Sequence, residues 1–437
     1  MGLDGGVLAC ESVLMSNDTS AAPQRTAYVI VGGGLAAAKA AEGIRESDTT
    51  GSILLVAQED RLPYERPPLS KGVLKGDDEP DSAFTHDRNW YDEQHVELRL
   101  GTAAEALDAE KHELTLAGGD VVAYEKLLIA TGSTPRALDV PGADLDGVLY
   151  LREMQESEAL KARLTEGARV VLVGAGWIGL EVAAAARHHG CTVTIIEPQA
   201  APLLGVMGEQ VGGYFADLHR GHGVELRLGE GVERIDGESS VTGVVTKSGD
   251  TVPADIVVVG VGITPNTGLA EGAGIETDNG IVTDPALRTS AEGVWAAGDV
   301  ANWRSTTLDT HVRVEHWANA QDGGLAAGRS MAGQDVTYDP IPFFFSDQYD
   351  IGLEYAGYVP RGTDAQVVLR GEPSSNEFMA FWVVPEGEGV RVLAGMHVNV
   401  WDTIDDVQRL VRDHAVVDPA RLGDPDVPLG DLGKPTD

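Results

Sequence analysis

Two glycine-rich turns constrain this chain more than any other feature. Gly32-Gly33-Gly34-Leu35-Ala36-Ala37 follows the apolar run Ala27-Tyr28-Val29-Ile30-Val31 and opens an alanine-rich stretch through Ile44. Gly174-Ala175-Gly176-Trp177-Ile178-Gly179 follows Val170-Val171-Leu172-Val173 and precedes Leu180-Glu181-Val182-Ala183-Ala184. Both read as strand, tight turn and helix start, the context in which the G-x-G-x-x-G/A pattern means a dinucleotide site. The glycines let pyrophosphate oxygens approach backbone N–H groups at the positive end of the helix. A single such turn is a weak signal. Two of them predict a chain that passes electrons between two dinucleotides.

The 437 residues allow two or three domains. Residues 1–24 read as a disordered tail without a secretory signal, and Met15 could be an alternative start. The first nucleotide unit is expected over 25–145. It includes the strand Ser52–Val56, a proline-rich loop Leu62–Lys71 and the strand Leu127–Ile129, which ends in Ala130-Thr131-Gly132. A second unit is expected over 146–270, closed by Ile256–Val259. The first unit resumes over 271–340, so the two are nested. From 341 to 437 the alternation in Gln366–Leu369 and Phe378–Val384 predicts antiparallel strands, with a helix near Ile404–Arg412. The fold class is therefore α/β with two nested Rossmann-type units and a C-terminal α+β domain.

Cysteine usage narrows the chemistry. Cys10 and Cys191 are the only two and are far apart, so no redox dithiol is expected. Cys191 reads as a buried small hydrophobe. The spacing of His188, His189 and Cys191 matches no zinc pattern, and no metal site is expected. A net charge of −37 argues against nucleic acid and anionic membrane as partners. No apolar run approaches the ~20 residues of a membrane-spanning helix. A cytoplasmic location is expected.

Further stretches carry a resemblance: Arg66-Pro67-Pro68-Leu69-Ser70-Lys71, Ala130-Thr131-Gly132, Gly298-Asp299, Glu315-His316-Trp317-Ala318-Asn319-Ala320 and Phe345-Ser346-Asp347-Gln348-Tyr349. With the two fingerprints, they make the chain similar, from about Ala27 to Leu429, to FAD-dependent ferredoxin reductases of oxygenase and cytochrome P450 systems, which are glutathione-reductase-like. The resemblance implies FAD on Gly32, Gly34, Leu35, Ala36, Arg66, Ala104, Ala130, Thr131, Gly132, Arg136, Asp299 and Trp317. Arg136 is implied to pair with a phosphate, Asp299 to accept from the ribityl chain, and the helix beginning near Trp317 to face the flavin ring. Lys71 is implied to sit beside the reactive flavin nitrogen, held by Glu181. Relatives carry an acid for the adenosine ribose where this chain has Gln58 followed by Glu59, so either residue could hold it.

NAD is expected on Gly174, Gly176, Trp177, Ile178, Gly179, Glu181, Glu197 and Gly262. Glu197 ends the strand Thr192–Ile196 near the ~20-residue offset of a ribose-binding acid. No arginine follows it to receive a 2′-phosphate, so NADH is expected over NADPH. The resemblance implies electron transfer from NADH through FAD to a [2Fe-2S] ferredoxin serving an oxygenase or P450. Arg61, Arg66, Lys75, Arg304 and Arg313 are the expected basic docking patch, with Trp303 and Trp317 as apolar alternatives. An NADH oxidase, a rubredoxin reductase and a nucleotide-switched signalling flavoprotein like apoptosis-inducing factor share the scaffold. The long C-terminal insertion expected of the last is not seen.

Overall fold

The computed structural model describes residues 24–433. The expectations for residues 1–23, Cys10 and Met15 fall outside them.

Each fingerprint sits in its own sheet, between parallel strands, and an antiparallel meander of Ala104–Asp108 and Glu113–Leu116 widens the first. In the first unit, Gln24–Val31 runs parallel to Ile53–Val56 on one side and to Val121–Ile129 on the other. Val96–Arg99 extends the sheet beyond Ile53–Val56. The C-terminal end of Val121–Ile129 pairs with Val294–Ala296, in register Val294↔Leu127 to Ala296↔Ile129. That pairing makes the architecture nested, because the chain leaves this sheet, builds the second unit and returns. The second sheet is parallel throughout, ordered Glu225–Leu228, Thr192–Glu197, Arg169–Val173, Ile256–Val259, Val148–Leu149. A short antiparallel ribbon of Ser133–Pro135 and Ile263–Pro265 joins the two units. Buried Val/Ile/Leu runs such as Ile53–Val56 and Ile256–Val259 are what a sheet covered on both faces requires. A three-stranded antiparallel sheet over 232–253 was not visible in the sequence pattern.

The C-terminal domain is the antiparallel sheet the alternation predicted. Its order is Phe343–Gln348, Ile351–Gly357, Gly389–Val398, Glu377–Glu386, Gln366–Glu372, with the helix Ile404–Arg412 packed on it. Its other face shares one apolar core with the second unit. Phe378, Trp382, Tyr355 and Met396 pack with Leu180, Met207 and Phe215. Trp382 Nε1–H donates to the Met207 carbonyl at 3.2 Å.

Behind the first fingerprint, the helices Leu35–Arg45 and Trp317–Met331 meet backbone to backbone. A Cβ added at Gly324 would lie 2.4 Å from Ala36 O, at Gly328 2.2 Å from Ala40 O, and at Gly43 2.3 Å from Leu325 O. Glycine is required there for close approach, not for dihedral freedom. Gly328→Ala should therefore destabilise the fold by about 1–3 kcal/mol through overpacking. Gly213, in the helix Leu204–Gly221, has nothing within 4 Å of its Cβ position. Gly213→Ala should instead stabilise by about 0.5–1 kcal/mol. Denaturant midpoints of the two variants should move in opposite directions.

Candidate functional site

The two fingerprints are geometrically equivalent. Gly32 has φ +145° and Gly174 φ +102°. Their N–H groups donate to Val56 O and Ile196 O, both at 2.9 Å. A Cβ would meet Ala130 O at 2.2 Å in the first and Gly260 O at 2.4 Å in the second. The second glycines, Gly34 and Gly176, have nothing within 4 Å of the Cβ position. The first glycine makes the turn and the second leaves the helix N-terminus open to a ligand. Gly179 packs onto Gly174 O, where a Cβ would sit at 2.5 Å, while the first unit carries buried Ala37 at that place.

Residues far apart in sequence gather at the first fingerprint. Leu35 and Ala36 are buried, and a Cβ on Gly298 would come 3.0 Å from Ala36 Cβ, so Asp299 enters the same crevice. Asp299 Oδ2 accepts from Arg152 Nη2 at 2.7 Å, and a Cβ on Gly132 would lie 3.3 Å from that same nitrogen. Arg152 was not foreseen; nothing local marks it, because its partner is 147 positions away. Thr131 is tied to the returning chain: its Oγ1 donates to Asn266 O at 2.8 Å and its carbonyl accepts from Asn266 Nδ2 at 2.9 Å.

The acid at the end of the second strand looks different in three dimensions. The pairings Val31↔Val56 and Val173↔Ile196 make Ala57 the counterpart of Glu197. Gln58 is exposed. Glu59 is half-buried and accepts from Arg66 Nη2 at 3.0 Å and Tyr64 OH at 2.5 Å, which leaves each oxygen one lone pair for a ribose. Burial pushes the Tyr64 hydroxyl up to about 12. The Thr102 and Gly101 N–H groups donate to Ala57 O and Glu59 O, so Ala104 starts its strand just beyond this end. Arg136 stands apart: it is exposed, and its Nε donates to Ile263 O at 3.1 Å on the inter-unit ribbon.

Lys71 and Glu181 meet. Lys71 Nζ lies 2.9 Å from Glu181 Oε1, and the carboxylate is only 4% exposed. Ser70 Oγ–H donates to Glu181 Oε2 at 2.5 Å and Ser346 Oγ–H to Oε1 at 2.6 Å. Lys71 Nζ also lies 5.5 Å from the centre of the Phe345 ring, which is 6.1 Å from Trp317. Trp317 begins the helix Trp317–Met331, whose N-terminus has no side-chain cap, and its Nε1–H donates to Glu65 at 2.9 Å. His316 Nδ1 is buried there without a partner.

At the second fingerprint, Glu197 is buried and accepts from the N–H of Ala175 at 2.8 Å and of Gln199 at 2.9 Å. Ile178, two residues after Gly176, and Val261, whose backbone nitrogen would lie 3.6 Å from a Cβ on Gly174, are exposed apolar residues beside this turn, and Gly262, at φ +103°, follows Val261. Trp177 packs edge-on to Phe215 at 5.4 Å and tilted on Phe344 at 5.1 Å, which fastens this helix start to the C-terminal domain.

Four of the five cations of the expected docking patch are ion-paired within the chain. Arg61 pairs with Glu158, Arg66 with Glu59, Arg304 with Asp309 and Arg313 with Glu315. Trp303 is 1% exposed and cannot anchor a partner. The sequence shows cations but not the carboxylates that fold against them.

The comparisons with known proteins agree with this geometry. Residues 26–324 match the family described as pyridine nucleotide-disulphide oxidoreductase. The chain belongs to that family. Residues 343–433 match the reductase C-terminal family. The ferredoxin–NAD(+) reductase component of the anthranilate 1,2-dioxygenase system of Burkholderia cepacia is 39% identical, over 92% of this chain and 98% of that one. Rhodocoxin reductase of Rhodococcus erythropolis is 38% identical, over 85% and 86%. The crystal structure of the covalent putidaredoxin reductase–putidaredoxin complex superposes with a TM-score of 0.87 at 34% identity, covering 92% and 97%. Cys191 is the one cysteine among the described residues, buried and donating to Thr165 O at 3.3 Å. Burial pushes its thiol pKa up, away from reactivity.

The chain fits the dinucleotides this family implies. The open turns at Gly34 and Gly176, the uncapped helix before Trp317 and the unpartnered Arg152 Nε and His316 Nδ1 are features that ligands would complete.

Lys71→Met strands the buried Glu181 charge and should cost about 3 kcal/mol, whereas Lys71→Met with Glu181→Leu should recover most of that loss. Chemical denaturation of the two variants beside wild type checks this.

Proposed function

We propose that this chain is an NADH-dependent flavoprotein reductase that passes electrons to a [2Fe-2S] ferredoxin serving an oxygenase or cytochrome P450. The observation that carries it is the Lys71–Glu181 pair, a cation held by a buried carboxylate between the two fingerprint units. Bound FAD would supply hydride acceptance and one-electron release, chemistry the protein's own groups lack. Gly32, Gly34, Leu35 and Ala36 hold its pyrophosphate end. Arg152 fixes the Asp299 carboxylate that receives the polar chain. Gln58 or Glu59 takes the adenosine ribose, and Ala104 lies beyond it.

Lys71 would offer positive charge to bound FAD, and Glu181 restrains its ammonium rather than leaving it to water. The helix N-terminus at Trp317 adds a fixed dipole of the same sign. Gly174, Gly176, Ile178, Gly179 and Gly262 line the NADH crevice. One-electron release from bound FAD would suit an external one-electron carrier, and the similarity to named ferredoxin reductases supports a ferredoxin in that role. A cytoplasmic location, where NADH is supplied, is part of the same proposal.

NADH-driven cytochrome c reduction should depend strongly on added [2Fe-2S] ferredoxin. Equal rates without any ferredoxin would make the protein an oxidase or diaphorase. Lys71→Met should retain FAD yet slow its reduction in stopped flow, and a wild-type rate would remove Lys71 from the mechanism.

Glu197 gives the nicotinamide preference. Its buried carboxylate can accept from the adenine ribose hydroxyls and repels a 2′-phosphate at the same place. We expect kcat/KM to favour NADH by about 100-fold. Glu197→Gln should narrow that ratio, because the amide neither repels phosphate nor accepts at both oxygens. Equal wild-type efficiency with NADPH would refute the assignment.

A further inference from the structure

The Glu181 carboxylate is the end of a longer chain of contacts. Ser346 Oγ, which donates to it, lies 3.3 Å from the Gln348 amide nitrogen. The Gln348 oxygen is 2.9 Å from His219 Nε2, and His219 Nδ1 is 3.0 Å from the Tyr349 hydroxyl. Ser346, Gln348 and His219 are each at most 1% exposed. His219 comes from the helix Leu204–Gly221 of the second unit, and the other three come from the end of the C-terminal domain's first strand and the turn after it.

Elementary chemistry fixes the donor direction at every link. An ionised carboxylate only accepts, so Ser346 spends its single proton on Glu181. Its oxygen must then receive from Gln348, which turns the amide NH2 toward Ser346 and the carbonyl toward His219. His219 must carry its proton on Nε2. Burial pushes the His219 pKa down to about 4, so the ring is neutral near pH 7 and Nδ1 accepts from Tyr349. All four hydrogen bonds point the same way, from Tyr349 inward to Glu181. That polarity is imposed by the acceptor-only carboxylate at the inner end. Here a reversal anywhere would face two lone pairs at 2.6 Å on the Glu181 oxygen that also holds Lys71. The outer end is anchored: Tyr349 stacks on His222 at 3.7 Å, beside a cavity of about 280 Å³ that Lys75, Arg187 and His188 also line.

We propose that Gln348 and His219 are positioning residues for flavin reduction, acting through Ser346 and Glu181 to hold the Lys71 ammonium in place. This rests on the functional reading above. Neither residue touches Lys71; the fixed direction of the chain is what transmits the constraint.

The test uses the full-length flavoprotein. With ¹⁵N-labelled histidine, NMR at pH 7 should show His219 neutral and protonated on Nε2. An Nδ1–H tautomer or an imidazolium overturns the proposal whether or not any variant folds. Gln348→Met keeps the side-chain length but cannot donate to Ser346. NADH reduction of its flavin should slow about tenfold, the size of losing a hydrogen bond in a charged network, and its flavin midpoint potential should shift. A folded Gln348→Met protein with the wild-type rate and potential overturns the proposal. Failure of NADH to reduce the wild-type flavin would count against the functional reading on which the proposal rests, whereas a wrong tautomer or an unchanged Gln348→Met protein counts against this proposal alone.

Discussion

The arrangement of the whole molecule turns on burying one negative charge. A carboxylate as enclosed as Glu181 is costly unless it is paired and hydrogen-bonded. Its partners arrive from everywhere: Ser70 and Lys71 from the loop of the first unit, Ser346 from the C-terminal domain, and Glu181 itself from the second fingerprint helix. The shared apolar core that joins the second unit to the C-terminal sheet is large but non-directional. It would tolerate small slides. The carboxylate would not, because a slide of one ångström strands a lone pair or an ammonium.

The same logic governs charge at the surface. The chain carries 69 acidic and 32 basic residues, and the arginines expected to form a positive field are paired to carboxylates of their own chain. Such pairs cancel at distances beyond a Debye length, so that set gives little long-range steering of an acidic partner.

How much of this was legible in the sequence follows from the range of each constraint. Gly32 and Gly174 were legible because their requirement is local and steric: a turn, a positive φ and a carbonyl in the way. The nested order was legible because the strand around Val294–Ala296 reads as a buried run that ends in Gly298-Asp299 after the second unit. Lys71 and Glu181 were legible only through resemblance, since in isolation each reads as a solvated residue. Arg152 and His219 had no such signal, and Gln348 stood in a matching stretch without a role of its own, because their partners are set by how three units dock. Gln348 and His219, for example, meet across 129 positions. The pairing of the expected patch's arginines was hidden for the mirror-image reason: composition counts charges but cannot show which are neutralised.

The glycine seam between Leu35–Arg45 and Trp317–Met331 has one more implication. The N-termini of these two helices are the ends that the proposal assigns to the pyrophosphate and to the ring of a single flavin dinucleotide. With Ala36 and Ala40 carbonyls against Gly324 and Gly328, no flexible side chain separates the two backbones at those points. The pair behaves as the two jaws of a fixed calliper. The span between cofactor ends is then set by main-chain geometry, and a shift at one jaw must displace the other as a rigid body rather than being absorbed between them.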